Sequence, residues 1–176
     1  MQHDAPTPDR PRDLAQEIGR RRPFELKEEE AYINLLMTHE ALAERLDRLF
    51  KSHGLSQPQY NVLRILRGHR RRALEEGSRA HTGVPSSTIA AQLTTRVPDV
   101  TRLVDRLESA GLAKRTRSKT DRRVVRVEIT PEGEGLLEEI DTPLADLHRE
   151  QLGHLGDRKL MQLNKLLFEA RHGPSA

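Results

Sequence analysis

The chain has 176 residues, enough for one compact domain or for one reading module fused to one association module. Apolar residues make up 35%, charged residues 32% and aromatics 3%, with a net charge of +3, so a modest aliphatic core must lie beneath a densely charged surface and a partner subunit would help to cover it. The absence of cysteine excludes disulfides, thiol redox sensing and thiolate metal sites, and no apolar run approaches the ~20 residues that cross a bilayer, so a cytoplasmic location with no membrane partner is expected.

Residues 1–27 are expected to form an N-terminal extension, partly helical or disordered, interrupted by Pro6, Pro8, Pro11 and Pro23 and free of a signal-like apolar stretch. Leu14 and Ile18, four apart, suit a short helix there, and Arg20, Arg21 and Arg22 read as solubilising charge in preference to DNA contacts. Residues 28–54 carry Ala31, Leu35, Leu36, Leu42, Leu46, Leu49 and Phe50 on one helical stripe and end at Gly54. That stripe is wide enough for a subunit contact, so this is the expected N-terminal dimerisation helix. Ser56 then caps a helix opening at Gln57-Pro58, with Tyr60, Val62, Leu63, Ile65 and Leu66 on its buried side and an expected end near Gly68. Residues 69–85, rich in Arg, Glu, Gly and Ser, read as an irregular or partly helical insertion.

Ser86 or Ser87 is expected to cap a short helix over Thr88 to Leu93. After Thr94-Thr95 a second helix is expected over 97–110, from Val97-Pro98 through Val100, Leu103, Val104 and Leu107 to a stop at Gly111. Two helices joined by a tight turn, the second with Arg on its outer face, make a helix-turn-helix. Leu112 to Thr116 and Val124 to Ile129 alternate as strands around a polar tip, which gives a wing over 112–129 and a winged helix-turn-helix domain over 55–129. Thr130-Pro131-Glu132 starts a long helix with Leu136, Leu137, Ile140, Leu144 and Leu147, which Pro143 is expected to bend, and a turn at Gly153 to Asp157 leads to a last amphipathic helix. Residues 130–176 are therefore expected to supply C-terminal dimerisation helices. The fold class is mainly α with a small β-hairpin wing, an α+β winged helix-turn-helix, and the apolar faces of its end helices point to a homodimer.

Charge is segregated along this order of elements. From Arg96 to Arg126 there are ten Lys/Arg against four acids, and from Glu128 to Glu150 eight acids against one Arg. A basic stripe over one helix and one hairpin is the footprint of phosphate binding, so double-stranded DNA is the expected partner. A recognition helix enters the major groove by its N-terminal end, which makes Arg96, Pro98, Asp99, Thr101 and Arg102 the residues nearest the bases. Arg102 is the first candidate for a bidentate contact to guanine. Asp99 is read two ways, as an acceptor from cytosine or as a helix cap, and Thr101 as touching a thymine methyl or a phosphate. Arg106, one turn on, suits the DNA backbone or its acidic neighbours. At the hairpin tip Arg122 or Arg123 suits a narrow minor groove, with Arg117 and Lys119 on flanking phosphates. Gln57, Ser86, Ser87 and Thr88 stand at helix starts, where they serve either as phosphate contacts or as caps alone.

The run Val100-Thr-Arg-Leu-Val-Asp-Arg-Leu-Glu-Ser-Ala-Gly-Leu-Ala-Lys-Arg115, with Asp121-Arg-Arg123 and Val127-Glu-Ile-Thr-Pro-Glu-Gly133, resembles the MarR family of winged-helix regulators over about Ala31 to His172. The resemblance implies a triangular homodimer that binds palindromic operators, usually as a repressor, and is released by a small molecule held between the dimerisation helices and a reading head. It also implies Arg123 in the minor groove and Asp105 or Asp121 as the carboxylate supporting the wing. His39, Tyr60 and Arg64 are the expected lining of the effector crevice, where an Arg suits an anionic or phenolic molecule; the lack of Trp departs from the urate-responsive branch. The 69–85 insertion, the Val97-Pro98-Asp99 start and the N-terminal extension are further departures. His39, His69, His148 and His154 show no i, i+4 pair of the kind that places two ligands on one helix face, so neither a metal nor a cofactor is expected.

No Gly-rich phosphate loop, His-Glu-x-x-His, Gly-x-Ser-x-Gly or cysteine nucleophile is present, so no enzyme is expected. The basic segment has no aromatic on which single-stranded bases stack, which disfavours RNA binding. An architectural winged-helix protein that binds nucleic acid non-specifically is the remaining alternative, ahead of a protein-interaction module that has lost DNA binding.

Overall fold

The computed structural model describes residues 14–77, 83–93, 99–117 and 125–173. Two compact units are distinguished, Met1–Glu44 and Arg45–Ala176, with one long helix running through both. In the first unit, helix α1 (Leu14–Glu17) buries Leu14 and Ala15 together with Phe24, against which Ile33 packs. The Arg20 guanidinium lies 4.3 Å from the centre of the Phe24 ring and pairs with Glu29 at 2.7 Å. Arg20 is thus committed to a local contact, a use that the reading of the Arg20-Arg21-Arg22 run as solubilising charge did not include. The long helix, α2 (Lys27–Ser52), begins with Glu28, Glu29 and Glu30 at the positive end of its dipole.

In the second unit, α2 ends at Gly54, whose φ of +71° suits glycine, and Ser56 opens α3 (Gln57–Glu75) with a reciprocal capping box to Gln59. Helix α3 does not stop near Gly68, as the sequence pattern suggested. Gly68 is helical, and the helix runs two more turns until Gly77 takes a φ of +71°. The His-Arg-Arg-Arg-Ala-Leu-Glu stretch after Gly68 is made largely of good helix formers, and Ala73 finds a buried place, so one interior glycine does not break the helix.

Strand β1 (Val84–Pro85) leads directly into α4 (Ser86–Gln92). Pro85, held extended by pairing opposite Arg126, is the N-cap residue, so neither Ser86 nor Ser87 caps this helix. Helix α5 (Val100–Ser109) likewise starts later than Val97-Pro98, because the Asp99 carboxylate accepts the Arg102 N–H at 3.0 Å and fixes the first turn there. Strands β2 (Ala113–Arg117) and β3 (Val125–Ile129) pair antiparallel from Ala113↔Ile129 to Arg117↔Val125, and β1 joins the other edge of β3 through Val84↔Val127. The sheet order is therefore β1-β3-β2.

Helix α6 (Pro131–Leu152) continues through Pro143, and after a 3-10 turn at Gly153–Leu155 the chain enters α7 (Gly156–His172). One core joins Phe50 of α2, Leu63 and Leu66 of α3, Ile89 of α4, Val104 and Leu107 of α5, Val127 of β3, and Leu137 and Ile140 of α6. Each fully buried Leu or Ile contributes about 1.5–3 kcal/mol, so the helix and hairpin that carry the basic residues stand on a well-supported base. Three arrangements fix α6 to that base. Thr130 Oγ1 caps Gly133 and donates to the Gly111 carbonyl at 2.7 Å; Gly133 lies so close to Leu112 that a Cβ there would be 2.3 Å from its carbonyl oxygen; and Arg67 of α3 makes two hydrogen bonds, 2.7 and 2.8 Å, to Asp141 of α6. Among the described residues no helix is long and apolar enough to cross a membrane.

Candidate nucleic-acid interface

Helix α5 has two distinct faces. Leu103, Val104 and Leu107 are buried, while Thr101, Arg102, Asp105 and Arg106 face outward. The Arg102 side chain is 81% exposed, and its Nε lies 3.1 Å from Asp99 Oδ2. Asp99 therefore caps the helix and holds Arg102 at once. Such an exposed pair is worth about 0–1 kcal/mol, so moving the guanidinium onto a base costs little. Among the described residues Arg106 makes no ion pair.

Beside this helix, Arg115 of β2 carries a clamp that the charge pattern did not reveal. Its guanidinium binds Glu108 at 2.5 Å and Asp105 at 2.6 Å, and its N–H donates to Glu108 Oε1 at 3.0 Å. These hydrogen bonds, the backbone one first, hold the Glu108 carboxyl below its ordinary range. Asp105, one of the two carboxylates expected to support the wing, thus meets the first wing strand through Arg115. Arg126 is also used internally, donating to the Gly83 carbonyl at 2.9 Å, and Lys114 lies 3.6 Å from Glu128. Of the ten Lys/Arg counted in this segment, Arg115, Lys114 and Arg126 are thus engaged within the protein, in contacts inside the sheet or from it to its neighbours. Reading the Lys and Arg residues by their strand faces, instead of as one block, would have separated these two uses.

Ser86 and Thr88, both half-buried, and Ser87, exposed, occupy the first turn of α4 without a side-chain cap hydrogen bond. Arg96, Pro98, Lys119, Asp121, Arg122 and Arg123 lie outside the described residues, as does the side chain of Arg117.

A cavity of ≈370 Å³ lies in the second unit, lined by Leu46, Phe50, Gln57, Tyr60, Asn61, Arg64, Leu144 and His148. Two of the three residues expected to line an effector crevice, Tyr60 and Arg64, are among them. Gln57 also lines this cavity, and His148 supplies an imidazole from α6. His39 is exposed on the part of α2 that belongs to the first unit. Tyr60 stacks on Phe50 with ring centroids 4.4 Å apart, and burial pushes its hydroxyl above the usual phenol range, so it stays protonated and able to donate. Among the described residues no group of three His, Asp or Glu side chains is placed to hold a metal ion.

The MarR family model matches residues 79–125, which include β1, α4, α5 and β2 and end at the first residue of β3. The transcriptional regulator FarR of Neisseria gonorrhoeae is 28% identical over 147 residues, covering 84% of this chain and 92% of that one. A MarR transcription factor of known structure from Planctomyces limnophilus is 37% identical, covers 83% of this chain and 98% of its own, and superposes with a TM-score of 0.59. A MepR variant of Staphylococcus aureus, solved bound to an oligodeoxyribonucleotide, is 20% identical, covers 81% and 96% respectively, and has a TM-score of 0.52, a likeness of fold.

Proposed function

The chain belongs to the MarR family of transcriptional regulators, and from that premise we propose that it binds a palindromic operator in double-stranded DNA as a homodimer and leaves it when a small molecule binds. The observation that carries the DNA reading is the division of α5, with three apolar residues in the core and Arg102 held outward at the first turn by Asp99. An outward Arg at the N-terminal end of a helix matches the geometry that reads guanine in the major groove, and Thr101 and Arg106 extend the same face. The Arg115 clamp holds the first wing strand against this helix, and in this reading Arg123, or Arg122 beside it, serves an adjacent minor groove, with Arg117 and Lys119 on phosphates. Ser86, Ser87 and Thr88, unused as caps, are free to take a phosphate.

The homodimer is supported by apolar surface left uncovered in each unit. Tyr32, Leu35 and Leu36 are exposed on α2, and Met161, Leu166 and Phe168 on α7. The cavity at Tyr60, Arg64 and His148 suits a small phenolic or anionic effector, with the phenol and guanidinium as its polar contacts.

Fluorescence anisotropy with DNA from upstream of the gene tests this reading. Arg102→Ala should weaken operator binding by about 1–3 kcal/mol relative to random DNA. Equal affinity of the unaltered protein for operator and random DNA would favour a non-specific architectural role.

A further inference from the structure

We propose that the groove between α3 and α4 is a second ligand site, adjoining the cavity at Tyr60 through Arg64, and that it takes a small dianion bearing phosphate or paired carboxylates. It is a cavity of ≈320 Å³ whose described lining is Arg64, Ile65, Gly68, His69 and Arg72 of α3 with Gln92 at the end of α4. Arg64, Gly68 and Arg72 follow one another at four-residue steps, so two guanidiniums flank a glycine on one helix face, their Cα atoms about 12 Å apart along the axis. No carboxylate is among these lining residues. Two cations of the same helix are neutralised, Arg67 by Asp141 and Arg70 by Glu134, whereas Arg64 and Arg72, like Arg71, which does not line the groove, form no side-chain ion pair or hydrogen bond among the described residues. His69 Nε2 lies 3.0 Å from Gln92 Oε1, which joins the two walls of the groove and leaves polar atoms facing into it.

Gly68 is the second, independent observation. It sits in the interior of a 19-residue helix with ordinary helical geometry, and a Cβ built on it would meet nothing within 4 Å. Neither backbone conformation nor close packing asks for glycine there, although glycine in a helix interior is disfavoured by about 1 kcal/mol against alanine. What its missing side chain provides is the open floor between the two arginines. An anion bound on that floor would take one charge-assisted contact from each guanidinium and tie α3 to α4, the first helix of the helix-turn-helix.

Calorimetric titration of the full chain with inorganic phosphate and, separately, with succinate tests this without reference to DNA. Sodium chloride at matched ionic strength is the control, and the two titrants distinguish the two sources of negative charge. Saturable binding of at least one titrant is expected, weakened about tenfold or more in Arg72→Gln and abolished in Gly68→Leu, which fills the floor. Arg72 is chosen because Arg64 lines both cavities. Circular dichroism melts of both variants verify folding, and Arg72→Gln, altering a surface side chain, keeps the test decisive if Gly68→Leu unfolds. Absence of saturation by either dianion, or binding that survives Arg72→Gln unchanged, overturns the proposal.

Discussion

Replacing Arg115 by Met should loosen the wing from α5 while leaving the hydrophobic core in place. The side chain of Arg115 is 26% exposed, and its partners Asp105 and Glu108 are 54% and 39% exposed, so the two pairs stand between a surface and a buried salt bridge. Discounted for that exposure, each is worth roughly 0.5–1 kcal/mol, and their joint loss about 1–2 kcal/mol. For a chain of this size that lowers Tm by about 2–8 °C. Urea denaturation of Arg115→Met, Glu108→Gln and the double variant measures the coupling directly, with about 0.5–1 kcal/mol expected between the two positions. Met keeps the length and apolar stem of Arg, so lost packing contributes little. An unchanged midpoint in Arg115→Met, or a coupling of zero in the cycle, would refute the clamp.

The two glycines at the start of α6 should respond to alanine in opposite directions. Gly133→Ala puts a Cβ 2.3 Å from the Leu112 carbonyl oxygen and should destabilise by about 1–3 kcal/mol or more in urea melts, while Gly135→Ala meets nothing within 4 Å and should stabilise by up to about 1 kcal/mol. The Glu108 and Asp141 carboxyls are held below their ordinary values of 4.5 and 3.8, chiefly by hydrogen bonds from Arg115 and Arg67 respectively. Lowered folded-state values mean that these contributions are complete above the ordinary values and are lost as pH falls through the lower folded ones. Thermal melts should therefore show destabilisation below about pH 4.5, reduced in the Glu108→Gln, Asp141→Asn double variant. Leu36→Glu, on the exposed apolar face of α2, should shift sedimentation from dimer towards monomer, and an unchanged dimer would remove that face from the proposed interface.

Much of the fold was legible where periodicity extends over several turns. The apolar stripes of α3 and α6, Ser56 as a cap, and the glycine stops at Gly54 and Gly111 stand out because each has a local physical cause. The end of α3 was misplaced because glycine lowers helix propensity without forbidding the helix, and Ala73 gains its burial only from tertiary packing. Strand β1 is two residues long, too short to express a period, and exists through its pairing with Val127 and Arg126. At the candidate interface, the outward position of Arg102 follows from helical spacing, whereas the commitment of Arg115 and Arg126 to internal partners follows from strand register, which a count of charges does not contain. His148 joins Tyr60 and Arg64 only through the packing of α6 on α3, residues more than 80 positions apart.

The most direct test of DNA reading by α5 is guanine methylation interference on the operator, since N7 methylation blocks the major-groove edge that an Arg contacts. Interference should fall on guanines in two symmetric half-sites about 10–10.5 base pairs apart, or a multiple of that, and the guanine signal in each half-site should vanish with Arg102→Ala. Specific binding undisturbed by guanine N7 methylation, or an interference pattern identical in Arg102→Ala, would contradict the assignment of Arg102 as the base-reading residue.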